Sequence, residues 1–202
     1  MDDTVCKCKK MGSGKSLICL VVGTWCLFFT SGVKAQEATN TLLVGHSIGD
    51  VGIKYDYQVA TFRFSMERDV GFLDGDGVRW FLQPQINRIR SVVDPRENVD
   101  ESGWEFGVSP GLSFRIFRIS DWLQFDLGAA VGPHFITASQ VRQRKGFIFS
   151  DLLFSSLSVQ CTEEIAIVGN VGFRHLSNAR LRLPNAGINT FLGSVGIRWT
   201  VD

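Results

Sequence analysis

Between Ala60 and Glu67 the chain sets Ala60, Phe62, Phe64 and Met66 against Thr61, Arg63, Ser65 and Glu67, apolar and polar positions alternating with a period of two. Successive side chains of a strand point to opposite sides, so this period marks a strand whose two faces meet different surroundings. The pattern returns from Val78, where Val78, Trp80, Leu82, Pro84 and Ile86 oppose Arg79, Phe81, Gln83, Gln85 and Asn87. It is clearest from Trp104 to Ile116: Trp104, Phe106, Val108, Pro110, Leu112, Phe114 and Ile116 alternate with Glu105, Gly107, Ser109, Gly111, Ser113 and Arg115. From Leu123 to Phe135 the apolar set Leu123, Phe125, Leu127, Ala129, Val131 and Phe135 opposes Gln124, Asp126, Gly128, Ala130, Gly132 and His134. One face is bulky and apolar throughout; the other is mostly glycine, serine and charge.

Strands over 42–48, 58–67, 77–90, 103–117, 121–137, 146–160, 164–177 and 188–201 follow from this reading. A soluble sandwich would turn its bulky faces into a dry core and seldom puts so much glycine outside. Several of these runs are longer than a soluble strand needs, whereas about 9 to 11 residues cross a bilayer when tilted. Bulky residues outward and small or charged ones inward suit a narrow barrel in lipid, where closure leaves no unpaired backbone edge. The predicted fold is therefore all-β, an eight-stranded antiparallel transmembrane β-barrel. With both termini in the periplasm, the turns at Arg118–Ser120 and Cys161–Glu163 are periplasmic and short. The connections at Ser91–Gly103, Ser139–Lys145 and Asn178–Gly187 are then external and longer, and the Asp69–Asp76 turn departs mildly from the rule.

The amino terminus differs in kind. Lys7, Lys9, Lys10 and Lys15 precede an apolar run from Leu17 to Phe29, and Val33-Lys34-Ala35 is a small-residue cleavage pattern. That is the build of a secretory signal peptide, with an apolar run too short for a span of roughly 20 residues. Residues 1–35 are expected to be cleaved and 36–202 to form the barrel domain, whether translation starts at Met1 or Met11. Cleavage removes Cys6, Cys8, Cys19 and Cys26, leaving Cys161 and no disulfide framework. No lipobox-like cysteine follows the apolar run. The net charge of +1 without a long run of one sign excludes a nucleic-acid footprint. No metal-ligand cluster or cofactor fingerprint is present, and His46 and His134 read as barrel or loop histidines.

Candidate chemistry gathers in FRHLSNARLRLPNAGIN, from Phe173 to Asn189. His175 and Ser177 share the parity of Ile165, Ile167, Val171 and Phe173, against Ala166, Val168, Asn170, Gly172 and Arg174, and so face lipid at the outer end of their strand. A serine becomes a nucleophile when a neighbouring base takes its proton, which imidazole does near neutral pH. Pairing across the Cys161–Glu163 turn sets Asp151 opposite Phe173 or His175, on the outward face with Phe147, Phe149 and Leu153. Asp151 is thus a candidate acid. Arg142, Arg144, Lys145, Arg180 and Arg182 all fall in external loops, where guanidinium groups match phosphate geometry.

The block Arg174-His175-x-Ser177-Asn178-Ala179, followed by Leu181, Pro184-Asn185 and Gly187-Ile188, resembles the outer-membrane lipid A 3-O-deacylases of the PagL family. The resemblance implies an eight-stranded barrel with its active site on the lipid-facing wall. It implies Ser177 as nucleophile, His175 as general base, and an oxyanion held by N–H groups near Asn178 to Arg180 with help from Asn185. The implied substrate is lipid A of lipopolysaccharide, and the implied place is the outer membrane of a Gram-negative-type bacterium, with the site in the outer leaflet. No cofactor is implied, and monomer and homodimer stay open. The family's third member is a glutamate after the Gly-Ile pair; here that position is Asn189, which shares the outward parity of Phe191, Val195, Ile197 and Trp199. An amide there can orient the ring without bringing charge. The competing expectations are a barrel that binds lipid or supports the envelope without catalysis, and an esterase for another lipid.

Overall fold

The computed structural model describes residues 38–50, 57–70, 77–94, 99–140 and 142–201, with side chains described except over 92–100. The expected signal peptide lies outside the described residues, as do parts of the 49–56 and 69–76 connections. Eight strands run in chain order: β1 Ala38–Asp50, β2 Tyr57–Asp69, β3 Val78–Asp94, β4 Val99–Ile119, β5 Leu123–Ile136, β6 Gly146–Gln160, β7 Ile165–Ser177 and β8 Ile188–Val201. Each pairs antiparallel with its sequence neighbour, and β1 with β8 closes the barrel.

Parity sets inside and outside as the alternation predicts. Phe62, Trp104, Phe106, Leu112, Phe135, Leu153, Val171 and Val195 are exposed on the outer wall, while Arg63, Glu105, His134 and Arg174 are buried in the lumen. An apolar outer wall with satisfied backbone pairs is what lipid requires of a spanning sheet. Aromatic pairs mark both ends of this wall: Phe117 stacks on Phe125 near the short turns, and Phe147 meets Phe149 edge-on near the long connections.

The hairpin expected to open into a loop from Ser91 to Gly103 is instead mostly strand. β3 continues to Asp94 and β4 starts at Val99, with Arg90 opposite Ser102 and Ser91 opposite Glu101. Beyond the apolar band neither face must be bulky, so backbone pairing carries the hairpin without alternation, and a pattern-based reading stops too early. β1 likewise extends past the expected 42–48, held by β2 and β8 on its two edges. A bulge between Arg115 and Phe117 puts Ile116 and Phe117 both outward. The short turn follows at 120–122, with Ser120 in the left-handed region at φ 53°.

Side chains fill the lumen. Arg79 bridges Glu67 and Asp126 at 3.2 and 2.8 Å, and Arg63 reaches Asn170 and Ser194 at 3.1 and 2.6 Å. Nearer the long connections, Glu105 takes Arg174 at 2.7 Å on one oxygen and His134 at 2.5 Å on the other. His134 also meets Gln85 and Ser109. Gly107 faces the His134 ring so closely that a Cβ there would overlap it. The described interior is thus filled by charged and polar side chains.

Candidate functional site

β7 carries the site because its two parities do different work. Arg174 and Leu176 point inward and are almost wholly buried, so the strand is anchored from within. Phe173, His175 and Ser177 point outward at its end and are half-buried. Register then brings the predicted residues into one row: Asp151 on β6 pairs with His175 on β7, and His175 pairs with Asn189 on β8. Of the two partners the sequence offered Asp151, the structure selects His175.

His175 Nδ1–H donates to Asn189 Oδ1 at 2.6 Å. This bond holds the neutral ring with its proton on Nδ1, which leaves the Nε2 lone pair available as a base. Gly187 packs against the ring from the loop side. It sits at φ 69°, a conformation that disfavours any Cβ, and a Cβ there would come within 2.7 Å of His175 Cε1. Phe173 and Phe191, with ring centroids 5.5 Å apart, form the apolar floor below. Asp151 is exposed on the outer wall and makes no hydrogen bond or ion pair with any described residue. Among the described residues Ser177 Oγ likewise has no hydrogen bond, and none joins it to the ring. The two side chains stand two positions apart on one face, about 7 Å along the strand.

After Ser177 the chain turns at Asn178–Leu181, closed by Leu181 N–H donating to Asn178 O at 2.9 Å. Its central residues Ala179 and Arg180 have φ of 50° and 64°, the type I′ arrangement normally left to glycine or asparagine. Asn178 staples the loop. Its N–H donates to Asn185 Oδ1 at 2.9 Å, and its Nδ2 donates to Arg182 O at 2.7 Å. The Asn178 N–H, expected to face the oxyanion, is therefore already committed. The Ala179 and Arg180 N–H groups and Asn185 Nδ2 have no partner among the described residues, and all belong to the segment just after the serine.

The expected phosphate-binding residues cluster at the same end. The 137–145 and 178–187 connections are stitched by a bridge between Gln143 and Asn185, by Ala186 N–H to Arg142 O at 2.9 Å and by Arg144 N–H to Pro184 O at 3.3 Å. Arg142 spends part of its guanidinium on Ala186 O at 2.9 Å. Arg144, Lys145, Arg180 and Arg182 are exposed, and neither connection contains an acidic residue. Leu181 and Leu183, interleaved with these arginines, are 65% and 78% exposed. The periodicity reading passed over these leucines, although two apolar residues in a loop beside a lipid-facing site were visible as Arg-Leu-Arg-Leu. His46 lies exposed on β1 and His134 in the lumen, both away from this row, and Cys161 is exposed at a short turn. Among the described residues no group of His, Cys, Asp and Glu could hold a metal ion.

Residues 51–198 match the family described as lipid A 3-O-deacylase (PagL). No curated protein matches the chain. Among solved structures, the outer membrane enzyme PagL is 12% identical, with 81% of this chain and 99% of that one covered and a TM-score of 0.49. The outer membrane protein OprG from Pseudomonas aeruginosa is 7% identical over 84% and 98% of the two chains, with a TM-score of 0.51. Neisserial surface protein A is 11% identical over 81% and 94%, with a TM-score of 0.50. At such identities the likeness to the last two is one of fold.

Proposed function

Since the chain belongs to the lipid A 3-O-deacylase (PagL) family, we propose that it is an outer-membrane serine esterase that removes the ester-linked 3-hydroxyacyl chain at position 3 of lipid A. The observation that carries the reading is the ring of His175, held through Nδ1 by Asn189 on the same outward face as Ser177. With Nδ1 occupied, Nε2 takes the Ser177 Oγ proton as Oγ attacks the acyl carbonyl carbon. The oxyanion is held by the Ala179 and Arg180 N–H groups and Asn185 Nδ2, with Asn178 holding the loop that presents them. Collapse breaks the ester bond, and Nε2–H protonates the departing sugar oxygen. Water, deprotonated by Nε2, then releases the fatty acid from Ser177.

Asn189 orients the imidazole without charge. Asp151, on the other flank of His175, supplies the negative charge that offsets the imidazolium in the transition state. Arg142, Arg144, Lys145, Arg180 and Arg182 bind the phosphates of lipid A, while Leu181 and Leu183 rest against its acyl chains. This reading puts the loop end in the outer leaflet, residues 1–35 in a cleaved leader and the working domain at 36–202.

Replacing Ser177 with Ala is expected to lower acyl release from purified lipid A by about 10³-fold or more, followed by mass spectrometry. Undiminished release by that variant would overturn the mechanism. A second reading, a barrel that binds lipid A without cleaving it, draws on the lack of a hydrogen bond between Ser177 and His175 among the described residues. It predicts no acyl loss from any lipid A or phospholipid by the unmodified protein, whereas release from another lipid alone would move the substrate and keep the chemistry.

A further inference from the structure

A different arc of the wall, β2 to β5, carries a second feature. Its outward side chains form rows set by register. Phe62, Ile86 and Phe106 lie side by side, and Pro84 stands opposite Val108 one row nearer the short turns. Together with Phe64 and Pro133 they line an open groove of about 550 Å³. Proline has no N–H to give a ladder. The β2–β3 register has no pairs between Arg63–Gln85 and Met66–Leu82, and the β4–β5 register has none between Gly107–His134 and Gly111–Ala130. Pro84, Pro110 and Pro133 fall in these gaps, and Pro84 and Pro133 line the groove.

The row above the groove changes chemistry. Arg88 stands between Ala60 and Trp104, its guanidinium carbon 5.2 Å from the centre of the indole ring. One nitrogen donates to Ser102 Oγ at 2.9 Å and the other reaches Gly103 O at 3.5 Å. These contacts hold the fork in place while the residue stays exposed. Arg90 follows two positions on, exposed on the same face. A cation fixed over an aromatic ring, directly above an apolar groove at the loop end of a membrane barrel, matches a molecule with a phosphate at one end and acyl chains at the other.

We propose that this groove is a second lipid site, which holds one phosphorylated glycolipid of the lipid A type with an acyl chain over Pro84 and Val108 and a phosphate on Arg88. It is separate from the Asp151–His175–Asn189 row on β6 to β8 and takes part in no bond cleavage. It rests on the reading that the loop end faces the outer leaflet, and not on hydrolysis at Ser177.

Native mass spectrometry of the full barrel released from detergent micelles tests this with bisphosphorylated lipid A, dephosphorylated lipid A and phosphatidylethanolamine as probes. The unmodified protein and Ser177→Ala are both expected to retain a second molecule of bisphosphorylated lipid A. Arg88→Gln should weaken that retention by about tenfold, the worth of a charge-assisted phosphate contact. Val108→Trp, at a lipid-facing position, should remove it by filling the groove. Retention of dephosphorylated lipid A or of phosphatidylethanolamine equal to that of bisphosphorylated lipid A, or retention unchanged in both variants, would overturn the site. So would a protein dimer that Val108→Trp splits, since a second copy would then be the occupant. Absent hydrolysis with variant-sensitive retention would sink the esterase reading and leave this one standing.

Discussion

Asn189 is the residue on which the proposed chemistry turns. Its amide oxygen anchors His175 at 2.6 Å, so orientation is secured, yet it adds no charge to stabilise the imidazolium that the proposed attack by Ser177 would form. Replacing it with Asp keeps the reach of the oxygen and adds that charge, which acts only once the ring is protonated. Asn189→Asp is expected to raise kcat for lipid A deacylation by about tenfold with KM unchanged. Asp151→Asn tests where the charge comes from in the present chain. A tenfold loss of kcat, again with KM unchanged, assigns that role to Asp151, while no loss leaves the imidazolium to solvent and lipid headgroups. The parity of His175, Ser177, Asp151 and Asn189 was legible in the sequence because a strand has a period of two. Which oxygen reaches the ring was not, since both flanking strands place one beside it and only side-chain geometry separates a hydrogen bond from mere adjacency.

At the scale of the element, the 178–187 connection behaves as a built loop. Asn178 and Asn185 close it across its neck, and the 137–145 connection braces it from the side. Asn185→Ala breaks the neck bond and exposes the turn that carries Ala179 and Arg180 at positive φ. Loss of one such bond costs about 1 kcal/mol, so local opening should be about fivefold more frequent. Trypsin cleavage after Arg180 or Arg182, followed by mass spectrometry, should accelerate to match while the barrel stays folded. The Ser177 to Ile188 spacing announced a special loop. That Asn178 is its staple became visible only once Asn185 was seen to fold back on it, because a sequence does not tell which of several polar groups will meet.

Over the whole molecule, Glu105 joins β7, which carries the candidate site, to the rest of the barrel. It holds Arg174, the inward neighbour of His175, and His134 from β5, all three buried, while Tyr57 on β2 accepts a further bond from Arg174 at 3.2 Å. Removing one member of a buried ion pair strands the other charge. Glu105→Ala is therefore expected to cost about 3–5 kcal/mol, measured by denaturant unfolding in micelles, with Glu105→Gln costing less. Activity at temperatures where the variant remains folded should also fall, because β7 loses its inner anchor.

The sequence by itself determined the architecture and the face of the site. Alternation, strand number and outward parity depend on local geometry and on what lipid tolerates, and both are written residue by residue. It underestimated β3 and β4 beyond the apolar band, where the environment ceases to demand alternation. Tertiary structure alone decided the partners: Asn189 on Nδ1 of His175, Asn178 spent on Asn185, Glu105 shared between Arg174 and His134, and the groove beneath Arg88. Each is a meeting of side chains from different strands or loops, set by register and by closure of the barrel, and no single stretch of chain contains that information.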